Sequence, residues 1–211
     1  RKSAVGHEYQ MLDDDGHPDG KVGAHRQPAA FYDVLPPAKD KPTKPVGEWN
    51  EYEIKLVGSS IEVRLNGELV STSASMDKLA HGYLGLQGEN GFHEYRNIRI
   101  KDLSKAEEGF ASLFNGKTLD GWHLMNGANF VAEDGVIKLN GGRGWLRSDK
   151  EYADFVLRLE LRFMKPNQDG GVFAVLLCAD RRERAVGLGM IPLAPIAVGF
   201  RGPAHFPCRL H

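Results

Sequence analysis

The sequence has few cysteines, no long apolar run and no excess of charge of one sign. Its 211 residues include two cysteines, Cys178 and Cys208, which are too few for a disulfide framework or a zinc cluster and leave open a single disulfide. No run approaches the ~18 apolar residues of a membrane-spanning helix, so no membrane span is expected. With 27 Lys and Arg against 28 Asp and Glu, the chain is not expected to bind nucleic acid through its phosphate backbone.

Helical spacing of apolar residues is also missing. The 25 glycines and 11 prolines fall mostly at turn-like sites between short alternating runs. The clearest example is 48–71, EWNEYEIKLVGSSIEVRLNGELVS, in which apolar and polar residues alternate on either side of a Gly-Ser-Ser turn. Asn66-Gly67 then forms a favoured two-residue hairpin turn. The pattern predicts an antiparallel meander, and the chain as a whole is predicted to be all β.

Further strands are predicted in the second half of the chain. The longest, 154–164, places five apolar residues on one face and Val156, Arg158, Glu160 and Arg162 on the other. The other predicted strands are 129–132, 135–139, 144–148 and 171–177. Beyond residue 180 the sequence shows no regular alternation of apolar and polar residues, so we expect an irregular tail at 181–211.

Several motifs carry a family resemblance. LFNGKTLDGW, EDGVIKL, YADFVLRLELRF and DGGVF resemble the amino-terminal half of the 3-keto-disaccharide hydrolase family, whose domain is a concanavalin A-like jelly-roll β-sandwich. The earlier motifs GHEYQMLDD, GEWNEYEIKLVGSSIEVRLNG, GYLGLQ and YRNIRI resemble its carboxy-terminal half. The resemblance therefore implies an all-β sandwich whose two halves occur in reversed order along this chain.

Two arrangements explain the reversed order. The chain either spans the junction of two tandem domains or forms a permuted domain, in which 110–180 packs onto 1–104 through a linker at 105–109. We favour one composite sandwich, because half a sandwich would expose an apolar face and open strand edges. A domain-swapped dimer would cover the same surfaces, so the expected states are a monomer or such a dimer.

The resemblance also implies a chemistry, the cleavage of glycosides oxidised at C3 of the sugar. A ketone at C3 acidifies the proton on C2, so a base removes it, the C1 substituent leaves and water adds. Such a site needs a general base, an acid for the leaving oxygen, and a donor, cation or metal for the enolate. The implied partner is a carbohydrate, an oxidised di- or oligosaccharide, and family analogy suggests an extracytoplasmic location.

Glu8 is the first candidate for the base. It lies on the motif Gly-x-Glu-x-Gln and shares a strand face with Gln10, a candidate for binding the substrate. The alternative is a solvated strand carboxylate. His17, in the loop that follows, is a candidate acid or base; the alternative, an ordinary polar turn, is the favoured one.

The charged face of the long strand supplies a second group of candidates. Glu160 is a candidate for catalysis and Arg162 for substrate binding, at positions where the resemblance implies a Glu-x-Arg pattern. Arg158, on the same face, is a further candidate for substrate binding. The alternative is a set of exposed cross-strand ion pairs. Trp145, in Arg-Gly-Trp, is a candidate for contact with a sugar ring at the rim of the site.

A divalent metal is an open question at this stage. Asp13 and Asp15 belong to DDDGHPDG, which suggests calcium but lacks the ligand spacing and closing Glu of an EF-hand.

The arginine that usually follows DGGVF in the family is absent from this chain. A non-catalytic carbohydrate-binding module and an inactive remnant are therefore kept as alternatives to an enzyme.

Overall fold

The structure, a computed structural model, describes residues 5–74, 81–89, 91–106 and 109–177. Within them lie two 3-10 helices, Pro18–Lys21 and Ala24–Arg26, and thirteen strands. The strands are β1 Val5–Leu12, β2 Asn50–Val57, β3 Ser60–Leu65, β4 Glu68–Ser73, β5 Gly82–Glu89, β6 Phe92–Asp102, β7 Ala111–Ser112, β8 Trp122–Asn126, β9 Phe130–Glu133, β10 Val136–Asn140, β11 Arg143–Tyr152, β12 Phe155–Phe163 and β13 Asp169–Leu177.

These strands form two antiparallel sheets. The five-stranded sheet has the order β1-β13-β5-β11-β8. The eight-stranded sheet has the order β4-β3-β2-β12-β6-β10-β9, with β7 paired to β6. The two sheets enclose one cluster of buried apolar side chains drawn from both. The predicted all-β sandwich is confirmed, and the architecture is consistent with a jelly roll.

Alternation of side chains explains why the sheets pack face to face. In β12 every second residue from Phe155 to Phe163 is buried, and the residues between them are partly exposed. In β1, Tyr9 and Met11 are fully buried. Burial of each such large apolar side chain stabilises the fold by roughly 1.5–3 kcal/mol. Every second residue of these strands therefore points away from the core.

The meander at the start of the eight-stranded sheet follows its sequence signals. β2 pairs with β3, and β3 pairs with β4. At the second turn Asn66 has φ of 48° and Gly67 has φ of 89°, the left-handed backbone that a two-residue hairpin turn requires. The predicted hairpin at Asn66-Gly67 is confirmed.

The two segments of the chain interleave in both sheets. β12 lies between β2 and β6, and β13 lies between β1 and β5. Residues 109–177 therefore place a strand inside each sheet, between strands that come from residues 5–102. Removing either segment would open both sheets and expose the shared core.

Some predictions from the sequence concern residues that the structure does not describe. The irregular tail predicted at 181–211 and both cysteines, Cys178 and Cys208, lie outside the described residues. Among the residues that are described, no helix has the length and apolar character needed to cross a membrane.

Candidate functional site

Glu8 and Gln10 lie on the outer face of the five-stranded sheet. They alternate along β1 with the buried residues Tyr9 and Met11, which point into the core. The side chain of Gln10 is nevertheless 1% exposed, and Glu8 is half-buried. The two predicted site residues therefore share a face, as their spacing indicated, and neighbouring groups cover much of that face.

Strand register identifies the neighbours on this face. Glu8 lies opposite Phe173, Gln10 opposite Gly171, and Leu12 opposite Asp169. Residues directly opposite each other in a sheet project to the same side. Asp169 is therefore on the same face as Glu8, with Gln10 between them. Gln10 Nε2 donates a 2.9 Å hydrogen bond to Asp169 Oδ1.

The next two strands extend the face. Phe173 lies opposite Gly85 in β5, and Gln87 and Glu89 follow Gly85 at alternate positions on the same side. In β11, Trp145 lies opposite Gln87, and Arg143 lies opposite Glu89. The candidate site is accordingly defined as the outer-face residues Glu8, Gln10, Asp169, Gln87, Glu89, Trp145 and Arg143, together with Tyr32, described next.

Tyr32 joins the face from a segment that runs along the free edge of β1. Phe31 forms an antiparallel bridge with Tyr9, and the Tyr32 amide donates a 3.0 Å hydrogen bond to the Glu8 carbonyl. Tyr32 is therefore directly opposite Glu8. Its hydroxyl donates a 3.2 Å hydrogen bond to Asp19 Oδ2.

Arg26 fixes the loop that carries Tyr32. Its guanidinium donates to both carboxylate oxygens of Asp33, at 2.8 and 3.1 Å, and to Asp19 Oδ1 at 3.4 Å. It also lies over the Tyr32 ring, 5.2 Å from the centroid. A bidentate arginine–carboxylate pair has a defined geometry, so charge-assisted hydrogen bonds hold the loop that carries Tyr32 in place beside Glu8.

Burial and mutual repulsion change the ionisation of the carboxyl groups. Burial, reinforced by the negative charge of Asp169, raises the pKa of Glu8 to about 8, although a hydrogen bond from Gln87 opposes the rise. Burial, reinforced by Glu89, raises the pKa of Asp169 to about 7. Burial also raises the pKa of Glu89, against the effect of the Arg143 guanidinium. Two carboxyl groups with a pKa close to neutrality are suited to proton transfer.

Two glutamine side chains add acceptors to this face. Gln10 and Gln87 are 1% and 6% exposed, and within the described part of the chain neither Oε1 has a hydrogen-bond partner. A buried acceptor without a partner is unfavourable in the absence of a ligand or water. Each of these two oxygens therefore has acceptor capacity that the described residues do not use.

Trp145 lies on the predicted side of the sheet but is largely covered. Its side chain is 3% exposed, and its ring packs edge-to-face on Phe173, with centroids 5.8 Å apart. The Arg143 side chain, two residues away, is 52% exposed and pairs with Glu89 at 3.4 Å. At this rim the accessible group is Arg143 rather than the Trp145 ring.

The structure places the charged residues of β12 elsewhere. Glu160 lies on the outer face of the eight-stranded sheet, on the opposite side of the core from Glu8. It accepts a 2.8 Å hydrogen bond from Arg96 Nε, while Arg162 pairs with Glu94. Arg158 Nε lies 2.6 Å from Glu53 Oε2, also in this sheet. The structure therefore does not bring Glu160, Arg158 and Arg162 together with Glu8 and Gln10, and it gives them ion-pair partners instead.

The residues proposed for the loop after β1 have local hydrogen-bonding roles. His17 Nδ1 accepts from the Asp19 amide at 3.2 Å and caps the first 3-10 helix. Asp13 accepts from the amides of Gly16 and Asn167, at 3.3 and 2.7 Å, and Asp15 is exposed. Over the described ranges, no group of three or more His, Cys, Asp or Glu side chains is arranged to hold a metal ion.

Five residues of the candidate site were not singled out from the sequence: Asp169, Gln87, Glu89, Arg143 and Tyr32. Asp169 opens the motif DGGVF, which served only to support the resemblance. Gln87 and Glu89 alternate in GLQGE, so a period-two pattern was present. Tyr32 reaches the site through an isolated bridge rather than a regular strand, and no local pattern predicts that contact.

Two comparisons with known proteins identify relatives of this chain. The model of a family described as 3-keto-alpha-glucoside-1,2-lyase-like domain matches residues 1–101 and 109–185. A protein of Bacteroides thetaiotaomicron named 3-keto-disaccharide hydrolase is 33% identical over 127 residues, which cover 46% of this chain and 43% of the relative. The chain thus spans less than half the length of that relative. The two matched segments include all the strands of the candidate site, and the chain belongs to the 3-keto-alpha-glucoside-1,2-lyase-like domain family.

Proposed function

We propose that the candidate site cleaves glycosides carrying a ketone at C3 of the sugar, with Glu8 as the general base. The family description and the name of the Bacteroides relative support this class of substrate. The observation that carries the proposal is a pair of carboxyl groups, Glu8 and Asp169, with pKa values of about 8 and about 7 on one accessible sheet face. Ordinary surface carboxyl groups titrate near 4.

The reaction has two stages. The Glu8 carboxylate removes the proton from C2, whose acidity is increased by the neighbouring C3 ketone. The electron pair of that C–H bond then forms the C1–C2 double bond as the C1–O bond breaks, and the leaving oxygen takes a proton. Water adds across the double bond, placing hydroxyl on C1 and a proton on C2. The sum of both stages is hydrolysis of the glycosidic bond.

The other side chains of the face suit the remaining tasks. Asp169, with its pKa of about 7, is the proposed proton donor to the leaving oxygen. Tyr32, opposite Glu8, is the proposed donor to the enolate oxygen, a role in which its hydroxyl hydrogen would turn from Asp19 Oδ2 to the substrate. The unpartnered oxygens of Gln10 and Gln87 are the proposed acceptors of hydrogen bonds from sugar hydroxyl groups.

The rim residues contribute to binding rather than to proton transfer. Arg143 is the exposed cation beside Glu89 and can bind an oxygen-rich ligand. Trp145 packs edge-to-face on Phe173, which lies opposite Glu8 in the neighbouring strand, and is proposed to hold that ring in place. Glu160, Arg158 and Arg162 are left out of the proposed site because they lie on the other sheet.

The direct test is sugar release from 3-keto-trehalose and from a 3-keto-β-glucoside. The wild-type protein should release 3-keto-glucose, and in D₂O the product should carry deuterium at C2 at a rate above the background exchange. Because the proposed reaction needs Glu8 deprotonated and Asp169 protonated, kcat/KM should follow a bell-shaped pH profile with its maximum between about pH 7 and pH 8. Glu8→Gln should lose release without losing its fold.

Glu160→Gln is the matched control, since it removes a carboxylate from a strand face on the other side of the sandwich. It should retain release. If a cooperatively folded wild-type protein binds the oxidised sugar but releases no product, the site is a carbohydrate-binding module and the enzymatic proposal is wrong. If Glu8→Gln cleaves as fast as the wild type, Glu8 is not the base.

A further inference from the structure

The hydrogen-bonded ladder between β5 and β13 opens beside Glu8. The register of these strands runs through Phe173 opposite Gly85 and Val172 opposite Leu86, and in the described residues it has no further pair towards Asp169. Gly171 and Gly170 are the next residues of β13, and Gln87 is the next residue of β5. The backbone at Gln87 therefore has no pair in β13 at the point where its side chain faces Glu8, although it remains paired with Trp145 of β11.

The other sheet takes over the bonding at this position. The Gln87 carbonyl accepts a hydrogen bond from His93 Nε2 at 3.3 Å and from the Tyr95 hydroxyl at 3.4 Å. Both donors come from β6 and both side chains are fully buried. Burial lowers the pKa of His93 to about 4, so its ring is neutral near pH 7 and donates from one nitrogen. These two cross-sheet hydrogen bonds, called the cross-sheet anchor, thus take the place of the missing pairing with β13 at Gln87.

Gly171 leaves the space that the Gln87 side chain occupies. A Cβ on Gly171 would lie 2.6 Å from Gln87 Oε1 and 3.3 Å from Glu8 Oε1. The first separation is shorter than real Cβ contacts, so any larger residue here would displace the Gln87 amide. The side chains of Gln87 and Glu8 therefore meet over a strand position that has no side chain of its own.

We propose that Gln87 is the residue that positions Glu8, held by the cross-sheet anchor of His93 and Tyr95 and given its space by Gly171. The Gln87 amide donates to the Glu8 carboxylate and so favours the charged form that acts as a base. The catalytic meaning of this arrangement rests on the proposed function. The positioning itself is measurable without any substrate.

The test is a titration of the Glu8 side-chain carboxyl by carbon-13 NMR, with the signal assigned by its loss in Glu8→Gln. Gln87→Met keeps the side-chain length but removes the donor, so the titration midpoint of Glu8 should rise by about one pH unit. Gly171→Ala should raise it in the same direction by displacing the amide. Gly127→Ala is the matched control, because its added Cβ would meet only a carbonyl oxygen at 3.6 Å.

A double substitution tests the route of the effect. If Gly171 acts through Gln87, the shift caused by Gly171→Ala should be largely lost in a Gln87→Ala background. Should Gln87→Met fail to fold, Gln87→Asn, which is one methylene shorter, is titrated in its place. An unchanged Glu8 midpoint in the folded Gln87 variant, or equal shifts for the two glycine variants, would overturn the proposal.

The outcome is separable from that of the proposed function. In an active enzyme, the pH profile of kcat/KM should move with the Glu8 midpoint in each variant. A shifted midpoint in a protein that cleaves no 3-keto-glycoside would support the positioning role and refute only the catalytic assignment. An active protein in which the Glu8 midpoint does not change when Gln87 is substituted would support the catalytic assignment and refute the positioning role.

Discussion

Ionisation of Glu8 is expected to destabilise the folded chain as the pH rises, and Glu8→Gln should remove this effect. The folded protein holds the Glu8 proton up to a pKa of about 8, whereas the unfolded chain releases it near 4.5. Between these values the folded state binds more protons than the unfolded state, so the free energy of unfolding falls with increasing pH. Above pH 8 the whole penalty is present.

The magnitude follows from the distance between the two pKa values. Each pKa unit corresponds to about 1.4 kcal/mol, which gives an upper bound of about 5 kcal/mol for Glu8. Glu8 is only half-buried, and water can relax around the charged group, so we expect about half of that bound. For a chain of this size the corresponding gain in Tm for Glu8→Gln is about 5–10 °C at pH 9.

Thermal unfolding of both proteins at pH 5.5 and pH 9, followed by circular dichroism, measures the effect. The variant should gain Tm relative to the wild type at pH 9 and much less at pH 5.5. Glu160→Gln, whose carboxylate pairs with Arg96, should show no such alkaline gain. A Glu8→Gln difference that is the same at both pH values would refute the claim that burial keeps Glu8 protonated.

Three further results are expected. Between pH 6.5 and 4 the buried, neutral His93 should lower the free energy of unfolding as the pH falls, because the unfolded chain binds the proton first. In urea denaturation, His93→Gln should therefore lose less stability than the wild type over this range. Equal losses would contradict the pKa of about 4 for His93. Glu160→Gln should lower the free energy of unfolding by about 1 kcal/mol or less, since its ion pair with Arg96 is partly exposed; a loss of several kcal/mol would contradict that reading. Because the two segments share one core, calorimetry should show one transition with equal calorimetric and van't Hoff enthalpies, whereas two separate transitions would contradict a shared core.

Regular alternation made much of the fold predictable. The prediction of a strand at 154–164 corresponds to β12, Phe155–Phe163, and the Asn66-Gly67 turn needed only two residues with positive φ. β8, Trp122–Asn126, was not predicted. It is an edge strand with Leu124 47% exposed, so its sequence lacks the clean alternation of a strand with one buried face.

The predicted site residues of β12 do not lie beside Glu8, and no local sequence pattern could have shown this. Glu8 and Glu160 each sit on the polar side of an alternating strand, and both patterns indicate an outward-facing carboxylate. Which sheet receives each strand depends on long-range pairing, and β12 pairs with β2 and β6 rather than with β1. Alternation thus predicts which residues of a strand face outward, but not which of the two sheets the strand joins.

Asp169 was missed because its surroundings resemble a turn. The sequence Asn-Gln-Asp-Gly-Gly favours a loop by composition, and the strand was predicted to begin at residue 171. In the structure β13 begins at Asp169, and the two glycines are strand residues that leave space for His93 and Gln87. Glycines in a strand interior often mark such close approaches of neighbouring groups.

The candidate site is assembled from both segments, which bears on the reversed order of the family motifs. Glu8 and Gln87 come from the first segment, whereas Asp169 and Gly171 come from the second. The start of β1 lies beside the end of β13, with Val5 opposite Leu177, so an ordinary hairpin could join these strands in the other chain order. In a permuted domain, the arrangement favoured from the sequence, the break would lie at this hairpin and the new connection between β6 and β7. Such a change alters the connections between strands while leaving every strand neighbour of Glu8 in place, and a working site is therefore compatible with either order.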